Sequence, residues 1–94
     1  MIKAPPAGGP SLTSLTPNAL AAGGEPAIVD VAGSGFDPAC AITANDLARD
    51  TFYIDSGHLQ YTARPDLANS GDVVNIKVVN SDDTVSNALT FTYT

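Results

Sequence analysis

An all-β domain, two sheets packed face to face, is the fold class this sequence predicts. The chain is punctuated from Ser11 onward into short runs rich in Val, Ile, Thr, Tyr and Phe, separated by Gly, Pro, Asn and Asp clusters. About seven such runs recur at spacings near ten residues, the rhythm of a two-sheet sandwich. The segments between them are too short for the crossover helices that a parallel α/β sheet requires. At 94 residues the chain accommodates one hydrophobic core, with a stability of roughly 5 to 14 kcal/mol and no need of a metal or disulfide.

The first ten residues, MIKAPPAGGP, hold three prolines and two glycines with no hydrophobic period and are read as an arm, residues 11–94 forming the sandwich. In SLTSLTP, Leu12 and Leu15 stand three apart, so a flat strand would send them to opposite faces and a kink or sheet switch is required. AIVDVAG alternates Val29 and Val31 against Asp30 and Ala32, with Ile28 on the outward side. It ends in GSGF, where glycines permit a turn and Phe36 folds back as a core plug. A short run around Ile42 follows, and NDLARD reads equally as a helical turn or a loop.

TFYID places Phe52 and Ile54 on one face and Tyr53 outward by alternation, and DSGH turns it into LQYTA, whose Leu59, Tyr61 and Ala63 share a face. Pro65 then breaks the pairing. DVVNIKVVN is the strongest strand and is expected to be central, with Val74, Ile76 and Val78 inward and Val73 and Val79 outward. NSDDT forms a solvated turn, and ALTFTYT closes the domain with Leu89, Phe91 and Tyr93 alternating against threonines.

In that order and spacing, PSLTSLTP, AAGG, VDVAGSGF, HLQYTARP and VNIKVVNSDDTVSNALTFTY resemble the IPT/TIG immunoglobulin-like domain from Pro10 to Thr94. The resemblance makes Leu12 and Leu15 the opening strand and Pro17 its terminator. Ala19 and Leu20 depart from a frequent Ser-Gly pair, and NDLARD lacks the glycines common in that loop. The resemblance implies an immunoglobulin-like sandwich but no single function, since such domains serve in surface receptors, transcription factors, polysaccharide-degrading enzymes and phage virions.

Chemistry is sparse. His58, the one histidine, lies beside Asp55 and Ser56, but residues so close in a tight turn do not form a hydrolase relay. Cys40, the one cysteine, excludes an internal disulfide, lacks a cationic neighbour and reads as a buried small hydrophobe. Cys40 and His58 alone fall two ligands short of a tetrahedral metal site, and Asp82 and Asp83 with Asn80 and Ser81 lack the spacing of a calcium loop. No catalytic residue, cofactor or metal is expected. A net charge of −6, with Lys3, Arg49, Arg64 and Lys77 as the only strong cations, opposes nucleic-acid binding. No run is long and apolar enough for membrane insertion.

What remains is surface. Ile28, Tyr53, Val73 and Val79 form a candidate docking patch, and Met1 and Ile2 head an arm that either adds to a neighbour's sheet edge or stays a disordered tail. A chain that opens on methionine without a secretory signal, carries no disulfide and ends on its last strand is expected to be a complete product made in a host cytoplasm. By resemblance, such a protein is expected to decorate a virion, attached to a larger capsid or tail protein. The alternative is an accessory module of a bacterial surface or secreted protein, with weak glycan binding.

Overall fold

A computed structural model describes residues 9–94; the arm residues Met1 and Ile2 lie outside the described residues. Among the described residues nine strands are present: β1 (Ser11–Thr16), β2 (Ala19–Leu20), β3 (Ala27–Ser34), β4 (Ala41–Ala44), β5 (Leu47–Arg49), β6 (Phe52–Asp55), β7 (His58–Ala63), β8 (Val73–Val79) and β9 (Leu89–Tyr93). They form two sheets, one ordered β1-β3-β7-β6 and the other β2-β9-β8-β4-β5. A 3₁₀ turn, Pro65–Leu67, joins β7 to the loop before β8. Among the described residues no helix is long and apolar enough to cross a membrane.

The inward faces expected of the long alternating strands are those observed. Val29 and Val31 of β3, Leu59, Tyr61 and Ala63 of β7, Ile76 and Val78 of β8, and Phe91 and Tyr93 of β9 are buried in one core, with Val74 and Leu89 packed against it. β8 sits in the middle of the five-stranded sheet, as its apolar run requires. The kink between Leu12 and Leu15 is a β-bulge: Leu12 faces Gly33 and Ser14 faces Ala32, so the extra residue, Thr13, turns both leucines inward. The chain then changes sheets, and β2 runs parallel to β9 with Ala19 opposite Thr92.

Two segments differ from the sequence reading. NDLARD is neither helical turn nor loop but the second half of a hairpin, β4 to β5, in which Asn45 and Asp46 both take positive φ, 51° and 68°. That is the geometry of a two-residue turn that asparagine and aspartate tolerate without glycine. Asn45 is held there from both ends, since its N–H donates to the Asn75 carbonyl and its side-chain oxygen accepts the Asn75 N–H, each at 2.9 Å.

The alternation of β6 is inverted. Tyr53 pairs with Leu59 and packs against the core, while Phe52 pairs with the outward Gln60 and is exposed along with Ile54. Directly opposed residues on antiparallel strands share a face, so the register with β7 decides which side of a four-residue strand goes in. Tyr53 is therefore not an outward docking residue.

The NSDDT stretch and the residues after it organise the fold more than a solvated turn would. Asn80 is buried, and its side chain donates to the Gly35 carbonyl at 2.8 Å and accepts the Asp37 N–H at 3.2 Å. The Ser86 hydroxyl accepts the Val78 N–H at 2.8 Å. Asn87 imitates a strand, its amide meeting both the N–H and the carbonyl of Leu12 and tying β1 to the segment before β9. These polar groups fill places where a buried backbone donor would otherwise go unpaired.

Candidate functional site

The residues weighed for chemistry are engaged in local structure. His58 Nδ1 lies 3.0 Å from Asp55 Oδ1, and that same oxygen accepts the Gly57 N–H at 2.7 Å, an Asx turn at the β6–β7 corner. The Gly57 hydrogen bond, with the one to His58 behind it, holds the Asp55 carboxyl below its ordinary range. Asp37 caps the far end of the sandwich, one oxygen accepting both the backbone N–H (2.9 Å) and the hydroxyl (2.7 Å) of Ser81. Those two bonds lower its pKa. Asp82 Oδ1 is likewise taken by the Thr84 hydroxyl and N–H, and the hydroxyl bond is the main cause of its lowered pKa. Oxygens committed to N–H and O–H donors are turn caps.

Cys40 is buried, as the sequence implied. Burial, and after it the neighbouring Asp37 carboxylate, pushes the thiol pKa up. Its alkylation by iodoacetamide in mildly alkaline buffer is expected to follow global unfolding, rising in step with added urea. Rapid labelling of the folded chain would contradict this burial.

The candidate docking residues do not assemble into one patch. Ile28, 52% exposed, is on the outer face of the four-stranded sheet; Val73 is exposed on the five-stranded sheet and belongs to the opposite side of the sandwich. Val79 is half-buried at the far end of β8, bridged to Val85. What the structure does gather is an apolar ledge that alternation had hidden. Phe52, 64% exposed, and Ile28 line a shallow groove of about 410 Å³ together with Gln60, Thr62 and Tyr61, and Ile54 stands exposed further along β6. The polar side of this face is braced by Gln60, which donates to Asp30 at 2.6 Å. The outward face of Phe52 became visible only through its register with Gln60.

Beyond the ledge, the edge of the sandwich carries Arg49 of β5 and Arg64 after β7. Arg64 is held by a bidentate pair to Asp66, 3.0 Å from Nε and 2.9 Å from Nη2. The Tyr61 phenol turns toward this edge, its pKa pushed up by burial and, to a smaller degree, by Tyr93.

Fold and surface together define an immunoglobulin-like sandwich whose functional features are faces and edges. The family profile of the IPT/TIG domain matches residues 10–93, and the chain belongs to that family. Its members are in general non-catalytic modules involved in protein interactions. Among solved structures it is similar to the TIG domain of human nuclear factor of activated T-cells, cytoplasmic 4, with 17% identity and a TM-score of 0.73, covering 97% of this chain and 92% of that one. It is also similar to part of the gamma-CGTase of alkalophilic Bacillus clarkii, with 24% identity and a TM-score of 0.70. That match covers 92% of this chain but 12% of the enzyme, so the chain spans a small fraction of that protein. No curated protein matches it in sequence.

Proposed function

We propose that this chain is a non-catalytic structural and adhesive module that fastens to a larger structural protein, and that the partner is the shell or tube protein of a phage virion. The observation that supports the docking role is the pair Ile28 and Phe52, exposed on the outer face of the four-stranded sheet and lining an open groove. Large apolar side chains clustered at that level of exposure on a face rimmed by Asp30, Gln60 and Thr62 fit an anchor with a polar surround. The acidic surface keeps the unbound chain soluble and away from nucleic acid.

Co-sedimentation with assembled particles tests this reading. The wild-type chain is expected to pellet with capsids or tails, and the Ile28→Ser, Phe52→Ser double variant to lose affinity by at least about tenfold. A wild-type chain that stays in the supernatant, or a double variant that pellets equally, overturns it. The similarity to part of gamma-CGTase favours a second reading, an accessory module of a polysaccharide-active enzyme. Against it, Tyr61 and Tyr93 are buried, leaving Phe52 as the well-exposed ring for stacking on sugar. Retention on a polysaccharide resin, abolished by Phe52→Ser, would establish that alternative.

A further inference from the structure

One leucine of the inward faces is left uncovered. Leu47 of β5 pairs with Ala44 of β4, which pairs with Ile76 of β8. Opposed residues share a face, so Leu47 stands on the same side of its sheet as the fully buried Ile76. It is nevertheless 69% exposed, and Leu67 of the 3₁₀ turn is 73% exposed. These are the two most exposed large apolar side chains among the described residues. Both line one opening of about 240 Å³ beside the β4–β5 turn, with Ala44 and Val74 in its wall. Tyr61 from one sheet and Tyr93 from the other, 5% and 8% exposed, close its floor.

That floor is polar. Among the described residues neither phenol hydroxyl has a hydrogen-bond partner on the protein, and neither is sealed from solvent. Hydroxyls on side chains nine-tenths buried, with hydrogen bonds still to make into an opening, suit an occupant that brings a donor and an acceptor. Burial keeps the Tyr61 phenol protonated, so the groups on offer are neutral. Charge at the rim cancels as well, because Arg64 is taken by Asp66 and Arg49 shares the opening with Asp72. The occupant is therefore neutral.

A free small molecule of the opening's size would leave both protruding leucines in water, whereas a protein surface around one inserted side chain covers them. Among neutral side chains, tyrosine combines a ring for the apolar wall with a tip hydroxyl that both donates and accepts. This chain cannot supply it. Its first ten residues hold no tyrosine, Tyr53 packs against the core, and Tyr61 and Tyr93 form the floor itself.

We propose that the opening between Leu47 and Leu67 is a socket for a tyrosine side chain of a partner protein. The ring packs among Ala44, Leu47, Leu67 and Val74, its hydroxyl bonds those of Tyr61 and Tyr93, and the partner surface around it covers the two leucines. The socket goes beyond the ledge of Ile28 and Phe52 and does not rest on it.

Methyl and amide NMR of the labelled full chain tests this with the peptide acetyl-Gly-Val-Tyr-Val-Gly-amide and its phenylalanine counterpart. The tyrosine peptide is expected to move the Leu47 and Leu67 methyl signals and to bind about fivefold more tightly than the phenylalanine peptide. The Tyr61→Phe, Tyr93→Phe double variant keeps both rings and is expected to lose that preference. Leu47→Ser, on an exposed strand that tolerates it, is expected to weaken both peptides by about threefold and keep the preference. Unmoved leucine methyls, equal affinity for the two peptides, a preference that survives the double variant, or full affinity in Leu47→Ser overturns the proposal. Binding of p-cresol as tightly as the tyrosine peptide also overturns it, because a free small molecule would then suffice. Concentration-dependent shifts of the same methyls without peptide do so too, since a second copy would then cover the leucines.

Discussion

Phe91→Ala is expected to cost about 3 to 5 kcal/mol of folding free energy, the largest effect of any single truncation in this domain. Phe91 is fully buried in β9, faces Val74 of β8 and meets the Tyr93 ring edge-on, centroids 5.1 Å apart. Alanine would leave a cavity between two sheets whose spacing is set by many other side chains, so little of it can collapse. Against a total of roughly 5 to 14 kcal/mol for a domain of this size, the variant should be partly unfolded at ambient temperature. Urea denaturation followed by circular dichroism measures it, with Phe52→Ala as the contrast. Phe52 carries the same ring on the outer face, and its removal should shift stability by no more than about 0.5 kcal/mol. Equal midpoints for the two variants would refute the assignment of faces.

Gly33→Ala is expected to destabilise by about 2 to 3 kcal/mol, a large effect for one methyl group. A Cβ at Gly33 would fall onto the Ser11 carbonyl oxygen and lie 2.7 Å from Cζ of Phe36. The first of these neighbours is backbone and cannot rotate away. Nor can Gly33 itself retreat, since it pairs with Leu12 and its N–H donates to the Gly57 carbonyl at 2.9 Å. Relief must come from prising β1 off β3 or from expelling the Phe36 plug, and either exposes core. Gly9, with open space around its added carbon, supplies the control: Gly9→Ala should be nearly neutral in the same melt. Comparable losses at both positions would contradict the close approach at Gly33.

The parts of this fold that were legible before any coordinates share one property, a run of alternation long enough to define both faces. β3, β7, β8 and β9 each place several apolar residues on one side, and all of those residues are buried or packed on the core. Leu12 and Leu15 were legible in a different way: their spacing is incompatible with a flat strand, so a kink or sheet switch was demanded, and the structure supplies the kink as a bulge. β2 and β5, with two and three residues, have no period to read. Their existence depends on partners distant in the chain, Thr92 and Tyr93 for one and the Asn45–Asp46 turn for the other.

The candidate site was less legible, for a related reason. Ile28 was placed outward correctly because Val29 and Val31 fix the sign of its strand. Tyr53 and Phe52 were exchanged because four residues of β6 give alternation without direction, and only the pairing of Phe52 with Gln60 supplies it. Val73 is indeed exposed, but on the opposite sheet from Ile28, so the two never belonged to one surface.

By itself the sequence determined that residues 11–94 form a two-sheet β-sandwich, and which face of each long strand is buried, because hydrophobic burial acts through local periodicity that every residue carries with it. Only the tertiary structure decided where the exposed apolar groups meet, Ile28 beside Phe52. That meeting arises from two registers, β6 on β7 within a hairpin and β3 on β7 across about thirty residues, neither of which a single strand's alternation carries.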